Sequence, residues 1–460
     1  MTYKNRDSAG RLEPFPSQLP LNQYTISGLV AITAVVIGLA VGQEHWIIAL
    51  GALAIPLVLL YPVHIAFGVF ALLVPFDEIA AIGEASHGRT VTWFAGVGAV
   101  LVLLVAGLAT RRFRRAPAAG IWWLSFAGWS ALTTVWALSP EVSLERIPTA
   151  LSLVGLYLVV GCLRFTKSEL KAIVFLSILG GLIAAAWTLY SFHQGNFFDA
   201  RNRASLMIGD RETNPNQLGL SLVLPISLAF GWFLSCKRWL GRAVLLFAMS
   251  VTALALFFTM SRGAVVALVT ALCVYLYRLR IGKRLVVPIA VLGLVLSFVP
   301  SVFFVRFQEA AATRGAGRLD IWKVGLTALT HYGLVGAGLD NFPLAYTKYA
   351  GDASHFKGFF RDPHNVYLSV AVETGVLGLI LFVGAIGIQL RSARRVKHGV
   401  SPQNLLLATE AATWGLLAFG LVGTILWEKV FWLSWILLTA ATQTLEDAPP
   451  FERVASETSS

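Results

Sequence analysis

Arginine side chains recur in the segments that separate the apolar runs of this 460-residue chain. A planar guanidinium binds phosphate oxygens through two parallel hydrogen bonds, so the group predicts a site for a phosphate-bearing anion. For any single member, contact with lipid headgroups at a membrane interface is the alternative. The arginines concerned are Arg201, Arg203, Arg211, Arg262, Arg306, Arg314, Arg318 and Arg361.

Arg262 has the most unusual position of the group. It lies in the short stretch Thr259–Gly263, with apolar runs directly on both sides. A charge at that depth is costly and is functional by default. An arginine that reaches up to the interface is the alternative, and Gly263 beside it permits a tight turn or close backbone approach.

Two predicted helix starts share one pattern. Asn214-Pro215-Asn216 precedes an apolar run at Gln217, and Asp362-Pro363-His364 precedes another at Asn365. Asn and Asp are favoured N-caps, and Pro is favoured at the first helical position. Free N–H groups at a helix N-terminus suit an anion, so both starts are candidate phosphate contacts, with ordinary capping as the alternative.

His364 is a candidate general base. The pattern places it in the first turn of its helix, where the dipole disfavours imidazolium and favours a neutral ring near pH 7. Asp362 acts in the opposite direction, since a nearby carboxylate favours the charged form. A capping or interface histidine is the alternative.

Metal and nucleotide chemistry have no motif in this chain. No His, Cys, Asp and Glu residues stand at metal-ligand spacing, and no nucleotide-binding or serine-hydrolase motif occurs. We therefore expect no metal, no cofactor and no ATP-driven transport.

Composition defines the elements that must position these residues. The chain is 57% hydrophobic and 13% charged, against about 45–50% and about 25% in soluble domains. This excludes an ordinary soluble enzyme, a disordered chain and a nucleic-acid module, despite the net charge of +12. The fold class predicted is an all-α polytopic membrane protein with about 12–14 transmembrane helices. The predicted spans are 25–41, 46–60, 63–75, 91–109, 120–138, 147–163, 171–192, 217–235, 241–259, 263–280, 285–305, 364–390, 405–425 and 428–444.

The alternation of loops predicts the orientation. With both termini in the cytoplasm, inside segments hold 22 of the 36 Lys and Arg residues, as the positive-inside rule requires. The other 14 lie outside, where topology does not place them. For residues 46–75 the sequence allows two interpretations, namely two short spans or one re-entrant hairpin.

The longest outside segment, 306–363, is predicted to contain a surface helix. Arg318 to Tyr332 has apolar residues at helical spacing (Leu319, Trp322, Leu326 and Leu329), which indicates an amphipathic helix on the outer surface. A connection this long is usually functional or disordered.

Four ordered elements resemble the O-antigen ligase and polymerase superfamily of bacterial envelope glycosyltransferases. The resemblance covers residues 210–385, and the preceding residues match only as a run of membrane spans. The elements are Asn214–Gly219, Ser261–Ala264, Arg318–Trp322 with Gly336–Phe342, and His364–Leu368 with Glu373–Gly378. Residues 346–361 match no motif, which leaves acceptor recognition open.

The resemblance implies a site and a reaction. Its donor would be a glycan on undecaprenyl diphosphate, and its acceptor a glycan or a lipid A-core-type sugar. His364 would be the base, with Arg262 and Arg318 on the diphosphate and no metal involved. The further substrate-binding residues implied by motif or position are Arg211, Asn214, Asn216, Ser261, Trp322, Asn365, Tyr367 and Glu373.

The resemblance also implies a division of the chain and a location. A cytoplasmic tail (1–24), N-terminal membrane helices (25–209), a catalytic core (210–390), C-terminal membrane helices (391–444) and a disordered cytoplasmic tail (445–460) are expected in the bacterial inner membrane. The active site would be periplasmic. A repeat-unit polymerase, a secondary transporter of an organic anion and a non-catalytic envelope component remain alternatives.

Overall fold

The computed structural model describes residues 58, 60–79, 90–200, 202–209, 211–279, 317–352, 358–396 and 403–447. Several predictions concern residues outside these ranges. They concern the spans 25–41 and 285–305, nearly all of 46–60, the N-terminal tail, most of the C-terminal tail, and Arg201, Arg306 and Arg314.

The described chain is almost entirely helical, which confirms an all-α polytopic membrane protein. A π-helical and a 3-10 segment (Val63–Phe67 and Val74–Phe76) flank the first short α-helix, and the two-residue strands β1 (Met207–Ile208) and β2 (Arg211–Glu212) pair antiparallel. The helices are α1 (Gly68–Leu73), α2 (Val91–Ala109), α3 (Ala118–Leu132), α4 (Pro140–Cys162), α5 (Lys167–His193), α6 (Pro215–Ser235), α7 (Trp239–Phe258), α8 (Arg262–Leu279), α9 (Arg318–Tyr332), α10 (Phe342–Tyr349), α11 (Val366–Arg395), α12 (Gln403–Phe419) and α13 (Lys429–Glu446).

Seven of these helices are long and apolar enough to cross a membrane: α2, α4, α5, α6, α7, α8 and α11. Shorter apolar helices occur at Val63–Phe76 and Asn404–Phe419. Helix α6 is the most buried of these seven, because 83% of its apolar window is buried against 22% in α8. The remaining apolar surface on the outer helices is what lipid would cover.

Helix boundaries follow local capping chemistry. Thr166 and Glu169 form a capping box at the start of α5, and Asn214 caps α6 with Pro215 at the first position. Helix α9 spans Arg318–Tyr332, as the apolar spacing predicted. However, the face of α9 that packs on the protein contains Ile321, Val324 and Ala328, while Leu319 and Leu326 are exposed.

The two ends of the bundle differ. One end, here called the loop-rich end, gathers the turns after α1, α3, α5, α7 and α12 together with α9 and α10. The opposite end carries the connections after α2, α4 and α6. There Arg112 and Glu169 form a buried ion pair, and the Arg112 Nη1 atom lies 2.7 Å from Glu169 Oε1.

At a break in α11, backbone hydrogen bonds join the loop-rich end to the bundle. Gly375 has a left-handed φ of 71°, which interrupts the helical hydrogen bonds. Residues 333–341 fill the gap: Ala337 N donates to Val372 O (2.8 Å) and Val376 N donates to Gly333 O (2.8 Å). Gly336 lies so close that a Cβ there would be 2.2 Å from Glu373 O. The glycines of two sequence motifs therefore form one joint.

Candidate functional site

Three elements meet at the loop-rich end around His364. Arg262 is the first residue of α8, Arg318 is the first residue of α9, and His364 lies just before α11. Arg361 is close enough to affect the ionisation of His364. We call Arg262, Arg318, Arg361 and His364 the His364 cluster. The sequence analysis predicted Arg262, Arg318 and His364 as site residues. The fold brings them together, although Arg262 and His364 are about 100 residues apart in the chain.

The prediction that His364 lies in the first turn of a helix is wrong. Helix α11 begins at Val366, and its N-cap is Asn365, whose Oδ1 accepts a hydrogen bond from Leu368 N at 3.0 Å. His364 has a left-handed φ of 46° two residues before the helix. Asp362 and Pro363 therefore do not form the cap and first position of α11, because Asn365 takes the capping role.

Trp322 holds the backbone next to His364. Its Nε1 donates to the carbonyl oxygen of Pro363 at 2.9 Å, which joins α9 to the segment before α11. The Asn365 side chain also donates to Leu421 O at 3.2 Å, so the same segment is tied to the end of α12. These two bonds hold a left-handed conformation that a non-glycine residue rarely adopts.

The ring of His364 is kept neutral by its surroundings. Burial lowers its pKa, and the positive charge of Arg318 lowers it further, with a smaller contribution from Arg361. Asp362 opposes them. The direction is the one predicted, but its main cause is burial rather than the helix dipole.

Arg262 and Arg318 bring two like charges together. Burial lowers the pKa of Arg318, and the charge of Arg262 lowers it further. Both guanidinium groups nevertheless stay protonated at neutral pH. Two cations held close together from different helices form a favourable environment for an anion.

Ser261 and Tyr367 lie near this cluster but have structural contacts. Ser261 is buried, and its Oγ accepts from Ala264 N at 3.4 Å, which caps α8. The Tyr367 hydroxyl donates to Leu417 O at 3.2 Å, and its ring contacts Phe382. Both residues position helices of the site.

Glu373 is enclosed within the joint between α11 and residues 333–341. It is 3% exposed, its Oε1 accepts from Ser369 Oγ at 2.6 Å, and its Oε2 accepts from Asp340 N at 2.9 Å. Asp340 in turn pairs with Arg146 of α4 at 2.8 Å. Glu373 thus orients the chain leading into α10 and presents neither oxygen to the His364 cluster.

The start of α6 is held by different partners. Asn214 Oδ1 accepts from Asn216 N at 2.9 Å, and Asn216 Oδ1 accepts from Arg203 at 2.9 Å. Arg203 is buried and also donates to Thr259 O at 3.0 Å. Arg211 lies exposed on strand β2. Asn214, Asn216 and Arg203 therefore form a structural junction.

Carboxylates surround that junction, which the sequence analysis did not predict. Glu78 accepts from the backbone N–H of Asn214, Gln217 donates to Glu428 at 2.7 Å, and Lys429 pairs with Asp77 at 2.7 Å. Burial and the neighbouring carboxylates raise the pKa of Glu78 to about 8 and that of Glu428 to about 7. The signals in the sequence were two pairs of adjacent charges between apolar runs, Asp77-Glu78 and Glu428-Lys429.

Tyr346, which the sequence analysis did not predict as a site residue, lies close enough to Arg361 to be affected by its charge. Tyr346 of α10 is fully buried, yet its hydroxyl has no hydrogen-bond partner among the residues that the structure describes. Its pKa is raised by burial and modified by the opposite charges of Arg361 and Asp320. Residues 346–361 matched no motif, so only the tertiary structure connects this segment to the His364 cluster.

Residues 244–383 match a family model described as O-antigen ligase. The matched region begins in α7 and ends in α11, and it contains all four residues of the His364 cluster. No curated protein matches the chain. The family match confirms the resemblance that the sequence motifs indicated. The matched residues do not include the start of α6.

Proposed function

We propose that this member of the O-antigen ligase superfamily is a membrane glycosyltransferase acting on a glycan carried by undecaprenyl diphosphate. It transfers that glycan to a sugar hydroxyl of a glycan or lipid A-core-type acceptor. The observation that carries the proposal is the His364 cluster. A partly buried neutral histidine lies close enough to Arg318 to be affected by its charge, and Arg318 is in turn affected by the charge of Arg262 from another helix.

Arg262 and Arg318 act on the donor. Their guanidinium groups bind the diphosphate oxygens, which neutralise the mutual repulsion of the two cations. As the glycosidic bond breaks, negative charge grows on the leaving diphosphate, and the same groups stabilise it. This is the work that a divalent metal performs in other transferases.

His364 acts on the acceptor. Its neutral ring removes the proton from the acceptor hydroxyl while that oxygen attacks the anomeric carbon. One C–O bond forms as the bond to the diphosphate breaks on the opposite face, so the configuration inverts. The proton stays on the imidazole, and the lipid diphosphate leaves with the electron pair.

The arrangement of the remaining residues supports this assignment. Trp322 fixes the backbone at His364, while Asn365 and Ser261 cap the two helices that meet there. The cluster lies at the loop-rich end, which the distribution of Lys and Arg predicts to face the periplasm of a bacterial inner membrane. A flipped lipid-linked donor reaches that side.

A repeat-unit polymerase would use the same cluster with a growing chain as one substrate. A transporter of organic anions is less well supported, because binding sites of secondary transporters lie near the membrane midplane between inverted repeats. Here the cations lie at helix starts of one end of the bundle.

Deletion of the gene followed by complementation tests the proposal. Wild-type protein should restore the long surface glycan, and Arg262→Gln should not, although its level in the membrane stays normal. Lys323→Gln removes an exposed cation from α9 and is the matched control, which should restore the glycan. Full restoration by Arg262→Gln would refute the assignment.

The phenotype of the deletion separates the two activities. A ligase deletion leaves a bare acceptor while lipid-linked polymer accumulates. A polymerase deletion leaves single repeat units on the acceptor. Transport is supported instead if purified protein in vesicles moves the lipid-free glycan and transfers none of it.

A further inference from the structure

A polar cavity of about 230 Å³ lies at the opposite end of the bundle, far from the His364 cluster in the fold. It is enclosed by the start of α3 and the final turns of α4, α11 and α13. The residues that matter for its chemistry are Arg114, Arg115, Ser392, Thr442, Gln443 and Glu446. We call it the Gln443 cavity.

The inner wall of this cavity offers acceptors. Gln443 is 6% exposed and its Nε2 donates to Gly161 O at 2.7 Å, which fixes the orientation of the amide. Its Oε1 is buried below the cavity surface and accepts no hydrogen bond from the described residues. The hydroxyls of Thr442 and Ser392 donate to backbone carbonyls at 2.7 Å and 2.9 Å, so each presents only lone pairs. A ligand must therefore bring hydrogen-bond donors to this wall.

The rim of the cavity is cationic. Arg114 is neutralised by ion pairs with Glu446 at 3.3 Å and Asp447 at 3.1 Å. Arg115 is exposed, and among the described residues it has no carboxylate within ion-pair distance. Arg111 adds a further exposed cation on the same connection. An anionic group on the ligand thus belongs at the rim.

The acceptors of the inner wall and the cations at the rim together indicate the chemistry of one lipid headgroup. We propose that the Gln443 cavity binds a glycerophospholipid whose headgroup carries a phosphodiester and a terminal glycerol, namely phosphatidylglycerol. The phosphodiester lies at Arg115, and the glycerol hydroxyls donate to the Thr442 and Ser392 oxygens. An ethanolamine headgroup also brings donors, but Glu446, the carboxylate among the lining residues, is already paired with Arg114.

The position of the cavity supplies the lipid. It opens where membrane helices end, beside a connection with four arginines between residues 111 and 115. Such basic pockets between helix ends are suited to anionic headgroups of the cytoplasmic leaflet. The proposal depends on the chain spanning a membrane and not on its transferase activity.

The test is lipid binding to purified full-length protein in nanodiscs, measured by native mass spectrometry. Phosphatidylglycerol should bind at least about 10-fold more tightly than phosphatidylcholine or phosphatidylethanolamine. Arg115→Gln should weaken phosphatidylglycerol at least about 5-fold. Ser392→Leu, which fills the cavity and keeps Arg115 and Gln443, should weaken it as much. The control is Arg391→Gln, an exposed cation in the last part of α11 outside the cavity, which should leave binding within about 2-fold.

Other outcomes overturn the proposal. Equal binding of phosphatidylethanolamine would show that the acceptors receive an ammonium group. Equal losses in Arg115→Gln and Arg391→Gln would reduce the effect to general surface charge. Retained binding in Ser392→Leu would place the lipid outside the cavity. Free glycerol phosphate that binds in detergent while phosphatidylglycerol does not would indicate a soluble ligand in place of a lipid.

Discussion

The starts of α6 and α11 carry the same Asn/Asp-Pro pattern, yet their surroundings are opposite. At α6, Asn214 caps the helix, Glu78 accepts the backbone N–H of Asn214, and Asn216 accepts from Arg203. At α11, the residues before the cap face arginines, with His364 and Arg318 affecting each other's environment. At the start of α6, the N–H of Asn214 is already bonded to Glu78, so that donor is not available to an external anion.

The difference shows that a helix N-terminus becomes a candidate anion site through what surrounds it. Both starts have free N–H groups and a positive dipole end. The start of α11 combines these with Arg318 from another helix and with a histidine, whereas Lys429, the cation from another helix near the start of α6, is paired with Asp77. The comparison leads to five predictions.

The largest effect is expected at His364. Asn tolerates the left-handed φ of 46°, so His364→Asn removes the base and keeps the backbone. Transfer in membranes should fall at least about 100-fold, the usual contribution of a general base. The measurement is transfer of labelled glycan to acceptor at constant protein level.

The control for this change is His331→Asn, an exposed histidine at the end of α9. It should keep at least about half of the activity. Comparable losses in both variants would mean that replacing either histidine disturbs residues 318–364 in general. The result would then give no support for His364 as the base.

Arg318 should show the next largest effect. Arg318→Gln removes a diphosphate contact, and transfer should fall by about 10–1000-fold, in the range that loss of one oxyanion-stabilising donor produces. Arg318→Lys keeps the charge without the planar fork and should recover only part of the loss. Kinetics with varied donor concentration measure both.

The same substitution makes a prediction about pH. The charge of Arg318 lowers the pKa of His364, so its removal raises that pKa. Since the neutral ring is the active form, the acid limb of the rate profile should move to higher pH in Arg318→Gln. Asp362→Asn removes a carboxylate that raises the pKa, and its limb should move to lower pH. Limbs that stay at the wild-type pH in both variants would show that another group titrates.

A smaller effect is expected at Trp322. Trp322→Phe removes the hydrogen bond to Pro363 O and keeps most of the ring contact. A bond of this kind contributes about 0.5–1.5 kcal/mol, which corresponds to a reduction of roughly 2- to 12-fold in transfer if it serves only to position His364. The pH profile should keep its shape, because no charge changes. Altered pH dependence would instead indicate a direct chemical role.

The smallest effect on activity is expected at the start of α6. Asn214→Ala removes the cap and should lower stability by about 1 kcal/mol, seen as a lower unfolding temperature. Transfer per folded molecule should be unchanged. If Asn214→Ala instead reduced transfer as strongly as Arg318→Gln, the start of α6 would belong to the substrate site and the comparison would fail.

Much of the fold and part of the site could be predicted from the sequence. The extent of α2 and α9 and the caps of α6 followed from periodicity and residue type, because these are local properties. Arg262 and Arg318 were identified because cations on the outer side conflict with the positive-inside rule, and His364 because it follows an Asp-Pro helix-start pattern. Glu373, Asn216 and Ser261 have internal hydrogen bonds that no local pattern predicts, and their roles in substrate binding stay predictions.

By itself, the sequence determined that this chain is a bundle of membrane helices with cations and one histidine at a particular set of helix starts. Hydrophobic length, capping preference and charge cost act over a few residues, so they can be read along the chain. Only the tertiary structure decided which of those starts meet. The Gly375 break accepts residues 333–341 and so brings α9 and α10 over α11, while Trp322 sets the backbone at His364. Such contacts join segments distant in sequence, and their geometry depends on packing throughout the bundle.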